Sequence, residues 1–254
     1  MSTLTGKIAL VTGIANEQSI AYGIAKALKA RGAELIITYV NDRTLDFIQP
    51  VLPSLEPALL IKCDVTQEGD LENVFQQIGQ RWGKLDIALH SIAFAPKADL
   101  HGRVVDTSRD GFLQAMDVSC HSFVRLAKQA EPLMKDGGTL ITLSYYGAEK
   151  VVPNYGVMGP VKAALEATTR YLAVELGPKK IRVHAVSPGP VQTRAASGIP
   201  EFSSMLEDAT QRAPLQELVD IDDVGAATAF LCEPGAAAIT GSVFYVDGGM
   251  HILA

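Results

Sequence analysis

Residues 8–23 read Ile8-Ala9-Leu10-Val11-Thr12-Gly13-Ile14-Ala15-Asn16-Glu17-Gln18-Ser19-Ile20-Ala21-Tyr22-Gly23. The stretch opens on a short apolar run, Ile8 to Thr12, of the kind a strand buried on both faces presents. Gly13 punctuates it. From Ile20 to Ala30 apolar residues recur at helical spacing, and the pattern stops at Arg31-Gly32, a helix-ending signature. A buried strand, a turn of small residues and an amphipathic helix make the first half of a strand–helix–strand unit.

The same unit repeats along the chain. Leu35 to Val40, Ala58 to Cys63, Leu85 to His90, Thr139 to Ser144, Ile181 to Val186 and Val243 to Val246 are β-rich runs. Helical patterns run from Thr66 to Trp82, from about Arg109 to Lys135 and from Lys162 to Glu175. Alternation of this sort, with right-handed crossovers, predicts an α/β fold: a single-domain, doubly wound parallel sheet, Rossmann-like, of about seven strands with helices on both faces. No internal repeat, low-complexity tract or flexible linker divides residues 1–254. Residues 188–214 break the pattern with Pro188, Pro190, Pro200 and Pro214 and a short amphipathic piece, Phe202 to Thr210. A long irregular segment in a compact domain reads as a lid or binding loop.

Composition narrows the function classes. In 254 residues, 22 Lys and Arg stand against 28 Asp and Glu, a net charge of −6. Hydrophobic residues at 48% supply enough apolar surface for a core and exclude a disordered chain. The mild acidity argues against nucleic acid as main partner. Cys63, Cys120 and Cys232 are dispersed and form no CxxC pair, so no metal site and no disulfide framework is expected. No apolar run approaches the roughly 18 residues of a membrane span. Met1 to Lys7 lacks the pattern of a signal peptide, and a cytoplasmic protein is expected.

The first turn can let backbone N–H groups approach a pyrophosphate, with the next helix N-terminus adding a favourable dipole. Gly13 would make the tight turn, Ser19 would serve as helix cap or phosphate ligand, and Gly23 would permit close helix–strand packing. The spacing is not GxGxxG. Asp64, with Val65, follows the third strand, where its carboxylate could accept from an adenine amino group or cap the next helix. Ser91 and Ile92 follow the fourth strand, where a dinucleotide would cross the sheet edge. The second strand ends Thr38-Tyr39-Val40-Asn41-Asp42-Arg43. Arg43 is the lone basic candidate there for a 2′-phosphate, which favours NADH over NADPH.

Chemistry is expected after the fifth strand, where Leu143-Ser144-Tyr145-Tyr146 is followed by Pro153-Asn154-Tyr155-Gly156-Val157-Met158-Gly159-Pro160-Val161-Lys162. A lysine ammonium near a phenol favours the phenolate, strengthens the hydroxyl as a donor and can hold a ribose hydroxyl. On one helix a Tyr-x6-Lys pair would lie about 10 Å apart along the axis. Pro160 belongs in a first helical turn. The helix is therefore expected to begin near Gly159, with Tyr155 approaching from the loop and Lys162 from the second turn.

These pieces together resemble the short-chain dehydrogenase/reductase superfamily and, more closely, its bacterial NADH-dependent enoyl-[acyl-carrier-protein] reductases. The resemblance rests on Gly13-x5-Ser19-Ile20-Ala21-Tyr22-Gly23, Cys63-Asp64-Val65, His90-Ser91-Ile92-Ala93-Phe94-Ala95-Pro96, Leu143-Ser144-Tyr145, Pro153-Asn154-Tyr155-x6-Lys162, Ala195-Ala196-Ser197-Gly198-Ile199 and Val246-Asp247-Gly248-Gly249. The spacing of six is the specific part, since ketone reductases of the superfamily use Tyr-x3-Lys, and position 159 here is Gly. The resemblance implies reduction of a trans-2-enoyl thioester on acyl-carrier protein by NADH, in fatty-acid elongation. It implies Tyr155 as donor to the thioester oxygen, Tyr145 beside it and Lys162 on the nicotinamide ribose. Gly13, Ser19, Ile20, Val40, Asp64, Val65, Ser91, Ile92, Val191, Gln192, Thr193, Arg194 and Ala195 would line the cofactor. Phe94, Ala95, Met158, Ala196, Ile199 and Phe202 would line the acyl substrate. Gln192 stands where a basic residue is usual, and Arg194 is expected to supply that charge. A homotetramer is implied too. The rival readings are a ketone or alcohol oxidoreductase of the same superfamily and a non-catalytic nucleotide sensor on this fold.

Overall fold

The computed structural model describes residues 3–193, 206 and 209–253. Seven parallel strands form one sheet: β1 Ile8–Val11, β2 Glu34–Tyr39, β3 Leu59–Lys62, β4 Ile87–His90, β5 Gly138–Leu143, β6 Ile181–Pro188 and β7 Val243–Val246. Their order is β3-β2-β1-β4-β5-β6-β7. The chain winds outward from β1 to β3, then returns to start again at β4. The order reverses between β1 and β4, and in such sheets ligands bind in the crevice beyond the carboxyl ends of those strands. Ala9 pairs with Ile87 and Val11 with Leu89. Thr12 extends this pairing past β1, since its N–H and its hydroxyl both donate to Leu89 O, at 3.1 and 2.9 Å.

Strand alternation divides the core in two. Ile8 and Leu10 enter one apolar cluster, and Ala9 and Val11 the other. The first cluster is covered by α3 (Asp70–Trp82), α4 (Arg109–Met116), α5 (Ser122–Ala130) and α6 (Met158–Leu176). In α3 the buried residues are Leu71, Val74, Phe75 and Ile78, the i, i+3, i+4, i+7 stripe of an amphipathic helix. The second cluster is covered by α1 (Ile20–Ala30), α2 (Asp42–Ile48) and α7 (Ile221–Cys232). The helices thus lie on both faces, as the alternating pattern predicts.

Several local expectations change. The helix read from Thr66 begins at Asp70, because Asp64 Oδ1 accepts from both N–H and hydroxyl of Thr66 and folds that stretch into a turn. The long pattern from Arg109 to Lys135 is α4 and α5 joined by a π turn, Asp117–His121, and closed by a 3₁₀ turn at Glu131–Leu133. The helix carrying Lys162 starts at Met158, with Pro160 in its first turn. Two helices, α2 and α7, stand where no element was expected. Finally, Gly23 serves helix–helix packing rather than helix–strand packing. A Cβ on Gly23 would lie 2.0 Å from Ile221 O, and one on Gly225 would lie 2.4 Å from Gly23 O. Only backbone against backbone fits where α1 meets α7.

Candidate active site

Gly13 sits at the reversal point with φ +88°. A Cβ there would lie 1.9 Å from Ser91 O, so the glycine is demanded by both conformation and space. The following turn is held from within. Ser19 Oγ accepts from the N–H groups of Ala15 and Asn16 at 2.9 and 3.0 Å, and donates to Asn16 Oδ1. Ser19 occupies the N-cap position of α1 but makes no side-chain cap. The cap expectation is thereby corrected: this hydroxyl organises the turn and leaves the first amides of α1 uncapped at the reversal point. A glycine cradle against the β4 end, with an uncapped helix N-terminus beside it, fits a dinucleotide pyrophosphate. Ile20 opens that helix.

At the ends of β2 and β3, Val40 is exposed and Arg43 lies over the Phe47 ring at 5.9 Å. Lys62 pairs with Asp42 at 3.3 Å. Asp64 caps a turn at Thr66, not a helix, and its backbone N–H donates to Asp70 Oδ2. Val65 is buried, and its carbonyl accepts from Arg125.

Beyond β4, His90 is buried, with Nδ1 3.0 Å from Thr142 Oγ1 and Nε2 2.7 Å from Ser122 Oγ. Burial, reinforced by the Lys162 charge, lowers its pKa to about 3, so the ring is neutral. Ser91 and Ile92 follow at the sheet edge, half-buried. Ser119, in the π turn, clamps the next residues: its hydroxyl accepts from Phe94 N–H at 2.9 Å and donates to Phe94 O at 3.0 Å. The Phe94 ring is exposed at 48% while Ala95 is buried.

Beyond β5 the structure brings Tyr145 and Tyr155 together and ties Lys162 to the strand end. The Tyr145 and Tyr155 rings lie 4.8 Å apart, tilted at 58°. Lys162 is buried and its Nζ donates to Leu143 O at 2.7 Å, two residues before Tyr145. Burial lowers the Lys162 pKa to about 8 and raises that of Tyr145 to about 12. The Tyr155 hydroxyl is pushed up as well, by burial first and then by Tyr145 and Glu166. This corrects the expectation of a lysine-favoured phenolate: Tyr155 is held as a neutral phenol, a hydrogen-bond donor. Met158 is buried within the core at the head of α6.

Val191 is buried in the second core cluster and Gln192 is exposed; Thr193 ends this stretch of described residues. Arg194, Ala195, Ala196, Ile199 and Phe202 lie outside the described residues, as does most of the expected lid at 188–214.

Comparison with known proteins decides the family. The family described as Enoyl-(Acyl carrier protein) reductase matches residues 13–251. The chain is 47% identical over 254 residues to the enoyl-[acyl-carrier-protein] reductase [NADH] FabI of Aquifex aeolicus, covering 100% of this chain and 94% of that one. It is 45% identical to the Escherichia coli K12 FabI over 255 residues, covering 100% and 97%. The chain belongs to the enoyl-[acyl-carrier-protein] reductase family. Among solved structures, the reductase from Anaplasma phagocytophilum in complex with NAD superposes with a TM-score of 0.95 at 45% identity, covering 99% of this chain and 96% of that one. The Bacillus cereus enzyme with NADP+ and an indole naphthyridinone gives 0.97 at 43% identity, covering both chains completely.

Three parts of this reductase site escaped the sequence reading. Glu166 is buried and accepts from Ser144 Oγ at 2.5 Å. A carboxylate inside the apolar stripe Val161, Leu165, Thr169, Leu172 was its signal. A Cβ on Gly147 would lie 2.5 Å from Cδ1 of Tyr155, so that glycine makes room for the ring. Ser119 depends on a π turn, which no periodicity announces.

Proposed function

We infer that this reductase saturates the trans-2 double bond of enoyl thioesters carried on acyl-carrier protein, with NADH as reductant, in fatty-acid elongation. The observation that carries the reading is the Tyr145–Tyr155 ring contact with Lys162 tied to Leu143 O at the carboxyl end of β5, next to β4, beyond whose end Gly13 meets Ser91. When bound, NADH supplies a hydride to the β carbon of the enoyl group.

The chain's own residues answer the charge that this creates. Negative charge collects on the thioester oxygen. A neutral phenol aimed at that oxygen stabilises the transition state more than the ground state. Tyr155 is suited to this, because its environment keeps the proton on oxygen. Tyr145, in ring contact, holds Tyr155 from one side and brings a second hydroxyl to the site. Lys162 takes the nicotinamide ribose. Gly13, Ser19 and Ile20 take the pyrophosphate, and Val40, Asp64 and Val65 the adenosine. Ser91, Ile92 and residues 191–195 complete the cofactor wall. Phe94, Ala95, Met158, Ala196, Ile199 and Phe202 serve the acyl chain, with residues 188–214 as the segment that covers it and residues 1–254 as one domain. The scarcity of basic residues at the end of β2, with Arg43 laid on Phe47, supports NADH over NADPH.

Assembly belongs to the same reading. Phe112 and Leu113 on α4 and Tyr171 and Val174 on α6 are apolar yet exposed, the last two above 70%. Covering these faces with copies of the chain supports a homotetramer, which light scattering would measure. A cytoplasmic enzyme belongs to the same proposal; among the described residues no helix is long and apolar enough to cross a membrane.

The decisive assay follows NADH and NADPH oxidation with crotonyl and longer enoyl thioesters, and with acetoacetyl thioester as the ketone control. Oxidation of NADH by crotonyl thioester alone is expected. Turnover of the acetoacetyl thioester without turnover of the crotonyl one would replace the reading by ketone reduction. No oxidation by any thioester would favour a nucleotide sensor.

A further inference from the structure

Consecutive residues at the end of β5 hold two charged side chains that sit one turn apart on α6. Leu143 O accepts from Lys162 Nζ at 2.7 Å, and Ser144 Oγ donates to Glu166 at 2.5 Å. Lys162 is 6% exposed and Glu166 4%. Charged residues are almost never buried so completely unless compensated. Each takes a hydrogen bond at the strand end, and the two opposite charges lie four residues apart on the same helix.

We propose that Glu166 is a positioning residue of the reductase, which keeps Lys162 an ammonium in its buried seat and, through Ser144, fixes the backbone that presents Tyr145. The proposal rests on the reading above, in which Lys162 and Tyr145 serve the cofactor and substrate. Its electrostatic side follows from the neighbours. Burial drives Lys162 toward the neutral amine, and Cys120 from the π turn and Glu166 act against it. Among the described residues, the neutral His90 from β4 and the Leu143 carbonyl also face Lys162. Glu166 is faced by Ser144 just beyond β5, Glu149 from the turn that follows, Arg170 on its own helix, Tyr155 from the preceding loop and Tyr245 from β7. Burial raises the Glu166 pKa, and the Ser144 hydrogen bond opposes that rise by favouring the carboxylate.

The test reads Lys162 directly. In ligand-free protein labelled with ¹³Cε-lysine, the Lys162 resonance is assigned by its loss in Lys162→Met and followed against pH. It is expected to titrate near 8 in the unsubstituted protein. In Glu166→Gln, which keeps an acceptor for Ser144 but no charge, the midpoint is expected about one pH unit lower, the effect of one nearby opposite charge. Glu166→Asp keeps the charge and is expected to leave the midpoint in place. Should the amide variant not fold, Glu166→Met, of similar size and without a polar group, carries the same expected shift. The alkaline limb of kcat/KM with crotonyl thioester should move with the resonance. An unchanged Lys162 midpoint in Glu166→Gln, or equal displacement by Gln and Asp, would overturn the proposal. Absence of crotonyl-thioester turnover in the unsubstituted protein would instead defeat the functional reading and leave the titration to decide the role of Glu166.

Discussion

At Tyr155 the surroundings reinforce the neutral donor that a phenol already is at neutral pH. Its hydroxyl keeps its proton because burial and two neighbouring acidic groups disfavour the anion. Tyr155→Phe removes the hydroxyl proposed to answer the thioester oxygen and leaves Lys162 and the Gly13 turn in place. Turnover with crotonyl thioester should fall roughly 10²-fold while the dissociation constant for NADH, read by fluorescence, stays put. Unaltered turnover would remove Tyr155 from the chemistry. Gly147 permits the ring to lie where it does, since a Cβ would meet Cδ1 at 2.5 Å. Gly147→Ala should therefore move the ring, and a displacement of about 1 Å costs about 10²-fold in kcat/KM. A crystal structure of that variant with Tyr155 unmoved would contradict this. Tyr155 and Lys162 were legible as types at a spacing. Gly147 was not, because its constraint comes from a ring eight residues further on.

Elements meet in this molecule where backbones can touch. The α1–α7 contact passes through Gly23 and Gly225. Gly23→Val would force side-chain atoms into the Ile221 carbonyl, and overpacking of this kind costs about 1–3 kcal/mol or more. The urea midpoint should fall accordingly; an unchanged midpoint would mean that the two helices separate freely. The helix α7 had a readable start in Asp220-Ile221-Asp222-Asp223. Asp220 accepts from Asp222 and Asp223 N–H, and Asp223 accepts from Asp220 N–H, a reciprocal cap. The π turn between α4 and α5 had no such mark. It brings Ser119 to Phe94, and Ser119→Ala would strand a backbone N–H and a carbonyl, at about 1–3 kcal/mol. That loss should loosen the 91–96 loop and raise the KM for the enoyl thioester more than that for NADH. Equal rises in both would assign Ser119 to general stability.

Across the whole molecule, two buried histidines couple folding to acid. His90 and His184 are neutral in the fold, with pKa values lowered to about 3 and about 4 by burial. Unfolded, each titrates near 6.5. The unfolded chain therefore binds more protons between about pH 6.5 and pH 3, and stability must fall as pH drops through that window. Asp86, held low by Lys7, Ile8 N–H and Lys84 against its own burial, adds loss in the same direction at the acid end. Thermal midpoints should change little between about pH 6.5 and 7.5 and decline steadily below that window, with a shallower slope in His184→Gln; a flat profile down to about pH 4 would show both rings accessible to protons. The strands, their parallel arrangement and the glycine turn after β1 were determined by sequence, because apolar periodicity and backbone sterics act over a few neighbouring residues. So was the start of the helix that carries Lys162, because Pro160 sets where that helix can begin. Only the tertiary structure decided that Ser19 ties its own turn and leaves α1 uncapped, that Gly23 faces a helix 200 residues away, and that Ser144 and Leu143 share out a buried carboxylate and ammonium. Those outcomes depend on which distant groups fill the remaining space and on how burial weighs charge, and neither quantity exists until the sheet has closed its two faces.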